Sequence, residues 1–267
     1  MTAVNLPKEL LDFYRDLDNL INDYAGRITL PGMEITDAVL NRHYGEGVSL
    51  FELVQPEIDA EFCKNVFQDV CALLERRRPQ VGGQLKTLTE AAEHAVVRLV
   101  SDYISGNDKN IKKLVEGSLI SGMTVNFILE CTARPFMQAF ARLVGSCTKD
   151  EKWQRNYCPV CGSKARYGLI KQDDNKRFLQ CSLCDRQWLF KRLACPNCLN
   201  EEHTTLKTIF IEETPDYQIH ACEECRTYLK VFSTGEEAGN TGLKDAATVF
   251  LDIIAQQNGY VSNYFTS

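Results

Sequence analysis

Three things are missing from this 267-residue chain, and each absence removes a class of function. No apolar run approaches the roughly 20 residues that a membrane span requires. The opening stretch MTAVNLPKELLDFYRDLD is rich in acid and has neither an apolar h-region nor a twin-arginine start. A soluble, cytoplasmic protein with no membrane association is therefore expected. An excess of positive charge is also absent. The formal charge is −6, which argues against binding duplex DNA over the whole surface, because such binding is mostly phosphate neutralisation. Finally, no nucleophile–base–orienter set is visible. His203 and His220 lie near cysteine pairs without a spaced carboxylate, so an enzyme is not expected.

What the chain does have is cysteine. Twelve are present, too many for core packing alone and out of place as disulfides in a reducing compartment. Eight fall into four Cys-x-x-Cys knuckles: Cys158/Cys161, Cys181/Cys184, Cys195/Cys198 and Cys222/Cys225. This is metal-ligand spacing. Cys63, Cys71, Cys131 and Cys147 sit singly in helical patterns and read as small buried hydrophobes.

Residues 1–150 read as an all-helical bundle. Leu10, Phe13, Tyr14, Leu17, Leu20 and Ile21 recur at helical spacing after Pro7. Thr36 can cap a short helix, and His43 falls in the glycine-bounded turn NRHYGEG. A helix is predicted from about Pro56 to Arg77, stopped by Pro79 and Gly82-Gly83, and another from Thr89 to Tyr103 carrying His94 as a packed or capping residue. Ser121 to Val144 is apolar nearly all round, a helix for the middle of the bundle that Pro135 should kink or break. At KDEKWQRNYCPVC the periodicity changes to short strands and turns. Residues 151–194 form a first metal module and 195–234 a second. Residues 235–267 hold a polar connector and an amphipathic helix from Lys244 to Gln257. The fold class is α+β: a helical bundle, two tandem rubredoxin-like or zinc-ribbon modules of four cysteines each, and a C-terminal helix.

The gaps between knuckles bear on their pairing. Between Cys161 and Cys181, ARYGLI and RFLQ read as a hairpin; between Cys198 and Cys222, TLKTIFI and YQIHA repeat it. Each second knuckle is followed by a further strand, so knuckle, hairpin, knuckle, strand recurs at about 40 residues. Pairing the first knuckle with the second and the third with the fourth lets each hairpin close its own site. A cross-braced arrangement, first with third and second with fourth, is the alternative, and a compact site from Cys181, Cys184, Cys195 and Cys198 a weaker one. The modules differ in charge, net +7 over 152–192 and net −4 over 193–230. Tetrahedral sulfur suits both zinc and iron.

CPVCGS at 158–163, RFLQCSLCDRQW at 177–188, KRLACPNC at 191–198 and CEECRTYLK at 222–230 resemble the signature of the formate dehydrogenase accessory protein FdhE family. The helical first half fits the same family, as does the D-x5-LD-x2-A pattern at Asp245, Leu251, Asp252 and Ala255. Arg226 departs from it, standing where glycine is expected after the last knuckle. The resemblance implies a cytoplasmic maturation factor that binds the catalytic subunit of formate dehydrogenase. It also implies two metal ions, iron favoured and zinc the alternative, that shape the binding surface. Trp188, Arg192, Tyr228 and Lys230 are the candidate partner contacts, because alternation sets them on comparable faces of the third strands and an aromatic anchor near a cation often carries interface energy. A rubredoxin-like electron carrier is one alternative. A zinc-ribbon nucleic-acid binder using Tyr157, Tyr167, Phe178 and Trp188 is the less favoured other.

Overall fold

The computed structural model describes residues 7–30, 33–117, 120–171, 174–212, 214–233 and 241–263. The helical part comprises α1 (Lys8–Arg27), α2 (Asp37–Glu46), α3 (Leu50–Val54), α4 (Ala60–Arg77), α5 (Gly82–Ala92), α6 (Val96–Ile104), α7 (Lys109–Glu116) and α8 (Gly122–Val144). Side-chain oxygens of Thr36, Ser49, Asp59 and Ser121 accept the N-terminal N–H groups of α2, α3, α4 and α8. Leu17 and Ile21 of α1, Val66, Val70 and Leu74 of α4, and Ile128 and Phe140 of α8 meet in one core.

Three helical expectations are corrected. Every residue of α8 from Cys131 to Ala141 is buried, and the helix runs through Pro135 unbroken. Packing on all sides outweighs the roughly 3 kcal/mol that an interior proline costs. Gly82 and Gly83 open α5 rather than stopping α4, which ends five residues earlier. The helix expected over Thr89–Tyr103 is interrupted by a turn at Glu93–Ala95, which leaves His94 exposed rather than packed or capping.

The knuckle region supplies β1 (Ala165–Ile170), β2 (Arg177–Cys181), β3 (Gln187–Phe190), β4 (Leu206–Phe210), β5 (Tyr217–Cys222) and β6 (Thr227–Phe232). Each three-stranded ribbon is antiparallel, as the repeat requires. The two ribbons then join edge to edge. β6 pairs in parallel with β1, Tyr167 opposite Lys230 and Leu169 opposite Phe232, giving the order β3-β2-β1-β6-β5-β4 with the short β7 (Val261–Ser262) beside β6. Gly168 lies on this seam. A Cβ there would stand 3.0 Å from Val231 and 3.2 Å from Leu229, so the bare backbone lets the ribbons close.

Joining the ribbons gives the central strands two covered faces. Leu179, Trp188, Phe190, Leu229 and Val231 belong to the core shared with the helical part. Tyr167, Leu169, Ile219, Tyr228 and Phe232 form a second core with Leu251 and Ala255. The latter two come from the C-terminal helix, which is split at Thr248 into α9 (Thr241–Ala247) and α10 (Val249–Gln257). The connector expected before it lies mostly outside the described residues.

Candidate metal centres

The sulfur atoms assemble into two groups. Cys158, Cys161, Cys181 and Cys184 lie within 4.8 Å of one another, and so do Cys195, Cys198, Cys222 and Cys225. Knuckles thus pair within each ribbon, and the cross-braced and compact alternatives are not formed. The closest approaches are 3.3 Å for Cys161–Cys181, 3.5 Å for Cys158–Cys184, 3.6 Å for Cys195–Cys225 and 3.7 Å for Cys198–Cys222. A disulfide needs about 2.05 Å. Four thiolates around a tetrahedral ion at about 2.3 Å stand roughly 3.8 Å apart, so these closest pairs stand within about half an ångström of the spacing in a metal shell.

Each knuckle turns in the same way. The residue after its second cysteine adopts a left-handed backbone: Gly162 at φ 78°, Asp185 at 59°, Leu199 at 62° and Arg226 at 56°. The turn aims backbone N–H groups at sulfur, with Leu183 and Cys184 donating to Cys181 Sγ and Asn197 to Cys195 Sγ. Glycine takes this conformation without cost and other residues at about 1–2 kcal/mol. Arg226, the departure from the expected glycine, therefore keeps the turn of the other three. It also reaches Glu223 at 2.7 Å.

The thiols within each group titrate unequally. Burial opposes ionisation of Cys161, yet hydrogen bonds from Cys158, Cys181 and Cys184 bring it well below the ordinary thiol value, while burial holds Cys158 and Cys184 well above it. In the second group burial is offset at Cys225 by hydrogen bonds from Thr227, bringing it to about 6, while burial pushes Cys195 up to about 12. Four thiolates at such distances need a divalent ion between them. By contrast, burial above all lifts Cys63 to about 12 and Cys71 to about 11, the behaviour of core thiols.

The surroundings of the two sites differ. The helical part grips the first. N–H groups at the start of α3, Leu50 and Phe51, donate to the carbonyls of Pro159 and Val160 inside the first knuckle at 3.0 and 2.8 Å. From α8, the buried Arg134 reaches Asp185 at 2.9 Å and the Ser182 carbonyl, and Gln138 donates to Asp185 at 2.6 Å. All four cysteines of this site are buried, whereas in the second Cys198 is exposed and Cys225 half-buried. These clamps leave no mark in the sequence, where Arg134 reads as one more residue on an apolar helix.

The C-terminal helices are locked by charge. Lys230 Nζ lies 2.5 Å from Asp245 and 2.9 Å from Asp252, and Tyr228 donates to Asp252 at 2.6 Å. Arg166 bridges Asp245 to Glu130 of α8. Burial favours neutral Asp245, but Lys230 and Arg166 outweigh it and hold the carboxyl below its ordinary value. The YLK tail and the D-x5-LD-x2-A pattern are thus two halves of one internal contact.

This corrects the docking face. Trp188 is fully buried and donates to the Arg155 carbonyl at 2.9 Å, while Tyr228 and Lys230 are 3% and 4% exposed. They also belong to opposite cores, because the β1–β6 seam gives each ribbon's third strand a different cover. Arg192 alone of the four is exposed, beyond the end of β3, with Nη1 on the Asn175 carbonyl. Tyr167 and Trp188 are likewise unavailable as stacking platforms for bases. His43 lies inside α2 rather than in a loop. It is buried, stacked 4.4 Å from Trp153, with Nδ1 on the Val48 carbonyl.

Fold and sites together define a helical protein fused to a double ribbon, with two closed four-cysteine centres set in one sheet. Residues 157–192 match the model described as the FdhE central domain. The chain is 26% identical over 262 residues to the protein FdhE homolog of Aquifex aeolicus, covering 97% of this chain and 85% of that one. It is also 26% identical over 193 residues to protein FdhE of Escherichia coli O127:H6, 71% of this chain but 60% of that one's length. The crystal structure of the FdhE protein from Pseudomonas aeruginosa shares the fold, with a TM-score of 0.59 at 20% identity over 96% of this chain and 91% of that one. Over most of its length the chain is thus similar to FdhE proteins.

Proposed function

We propose that the chain is a non-catalytic accessory factor in formate dehydrogenase maturation. In this reading it binds the catalytic subunit in the cytoplasm and holds one iron ion in each four-cysteine centre. The observation that carries this is the closure of both centres. Four thiolates fill a tetrahedral shell, whereas a catalytic ion keeps an open position or a mixed ligand set. Cys158, Cys161, Cys181 and Cys184 would hold one ion and Cys195, Cys198, Cys222 and Cys225 the other. Bound metal would fix the knuckles and thereby the sheet.

The likeness to FdhE proteins supports the partner, and Arg192 is the surviving candidate contact. The test is capture of the formate dehydrogenase catalytic subunit on the immobilised, metal-loaded chain, repeated with Arg192→Ala. Capture by the parent and weaker capture by the variant, with both metals retained, supports the reading. No capture by the parent contradicts it. The electron-carrier reading draws on one observation, the exposure of Cys198 at the second centre. It requires reversible one-electron cycling at rates matching turnover.

A further inference from the structure

A cavity of about 270 Å³ lies between the ribbons beside the second centre; Cys195 and Cys222 of that centre line it, and apart from these ligands its charged side chains are all of one sign. Arg177, Arg192, Lys207, His203 and His220 line it, and among the described residues no aspartate or glutamate does. Arg177 and Arg192 come from the first ribbon, and Lys207, His203 and His220 from the second, whose sequence is net −4. The innermost cation is Arg177, 2% exposed. Its guanidinium donates to the carbonyls of Lys191 and Ala194 and, from Nη1, to His220 Nδ1 at 3.4 Å. His220 Nε2 donates to Gln218 Oε1 at 3.3 Å, which leaves Nδ1 as the acceptor. All of these partners are neutral. Arg177 Nε has no hydrogen-bond partner, and among the described residues the partners of its guanidinium include no carboxylate.

A buried guanidinium is ordinarily matched by an anion, because its planar fork fits a carboxylate and an unpaired buried charge is costly. Arg192 and Lys207 add positive charge in the same cavity. Each bonds a backbone carbonyl, of Asn175 and Thr204, rather than an acid. Leu193 and Phe210, 65% and 68% exposed, also line the cavity. They offer apolar contact next to the cations.

From this arrangement we infer that the cavity between the ribbons binds a carboxylate attached to an apolar group, such as a free acyl amino acid or the C-terminal residue of a peptide. The carboxylate meets Arg177, with Arg192 and Lys207 closing over it, and the apolar group rests on Leu193 and Phe210. This inference does not depend on the maturation role, and its test needs the full metal-loaded chain alone.

Calorimetric titration with N-acetyl-leucine, and with a pentapeptide ending in leucine as the free acid or the amide, provides the test. The account expects saturable binding of the free-acid forms and at least tenfold weaker binding of the amide. N-acetyl-leucine binding as well as the peptide acid would identify a small-molecule site, and binding of the peptide acid alone a chain-terminus site; either outcome supports the carboxylate assignment. Arg192→Glu combined with Lys207→Glu should weaken binding at least tenfold without disturbing the fold, since both side chains are exposed. Arg177→Gln should abolish it. Equal binding of acid and amide, or undiminished binding in the double variant, overturns the proposal. So does the absence of binding, which would leave the cations as countercharge to the neighbouring thiolates.

Discussion

Replacing Lys230 by Met tests whether the C-terminal helices are held to the sheet by charge. At 2.9 Å from Asp252, with an effective dielectric near 20, the attraction is roughly 6 kcal/mol before desolvation. Removing one partner of a buried pair costs about 3–5 kcal/mol. The side chain of Lys230 is 5% exposed and that of Asp252 23%, which makes that range apply to this pair, whereas the Asp245 side chain is 40% exposed and adds at most about 1 kcal/mol. Burial already raises Asp252, with Lys230 and Tyr228 only partly offsetting it, so the orphaned carboxyl should take up a proton and recover part of the loss. A net destabilisation of about 3–4 kcal/mol is expected. For a chain of this size that lowers Tm by roughly 6–16 °C. The assay is thermal and denaturant unfolding followed by circular dichroism, with hydrogen exchange on α10 and metal content measured in parallel. Exchange should rise in α10 while both metals stay bound. Asp252→Asn should recover part of the loss in the double variant. A change under 1 kcal/mol, or strict additivity of the two substitutions, would refute the reasoning.

Three further outcomes are expected. A chelator should strip one ion at least tenfold faster than the other, and Cys198 and Cys225 should become reactive first, because the second centre is partly open and the first is clamped by α3 and α8; equal rates would contradict this. Leu199→Gly should stabilise the protein by about 1 kcal/mol in denaturant unfolding, since φ is 62° and the side chain is half exposed; destabilisation would show that the leucine packs more than the turn strains. Burial lowers the His43 imidazole below its ordinary value, so the folded state holds fewer protons there than the unfolded one. The stability this contributes is fully present above the unfolded value near pH 6.5 and is lost as pH falls toward the depressed one; His43→Phe should flatten the stability profile in that window, and an unchanged profile would place the titration elsewhere.

The pairing of the knuckles is legible because hairpin-length gaps separate the first from the second and the third from the fourth, and a hairpin can close its own ends. Trp188, Tyr228 and Lys230 mislead because alternation along one strand says nothing about what covers each face. The parallel seam between β1 and β6 joins segments some 60 residues apart, and Gly168 is its one trace in the sequence. The D-x5-LD-x2-A pattern is visible as part of the family resemblance, but its reason lies in Lys230, which strand alternation presents as a surface contact. The left-handed turn after each knuckle is hidden because glycine marks it only at Gly162. Asp185, Leu199 and Arg226 adopt it because the knuckle geometry holds the chain there.

The central claim is that two independent four-thiolate centres, each built by one ribbon, hold one ion apiece. Metal analysis of protein purified without air, for the parent chain, Cys158→Ser/Cys161→Ser and Cys195→Ser/Cys198→Ser, tests it most directly. The account predicts two ions in the parent and one in each variant, with thiolate charge-transfer bands if the ion is iron and a colourless protein if it is zinc. One ion or none in the parent, or loss of both ions when a single ribbon is altered, would contradict it.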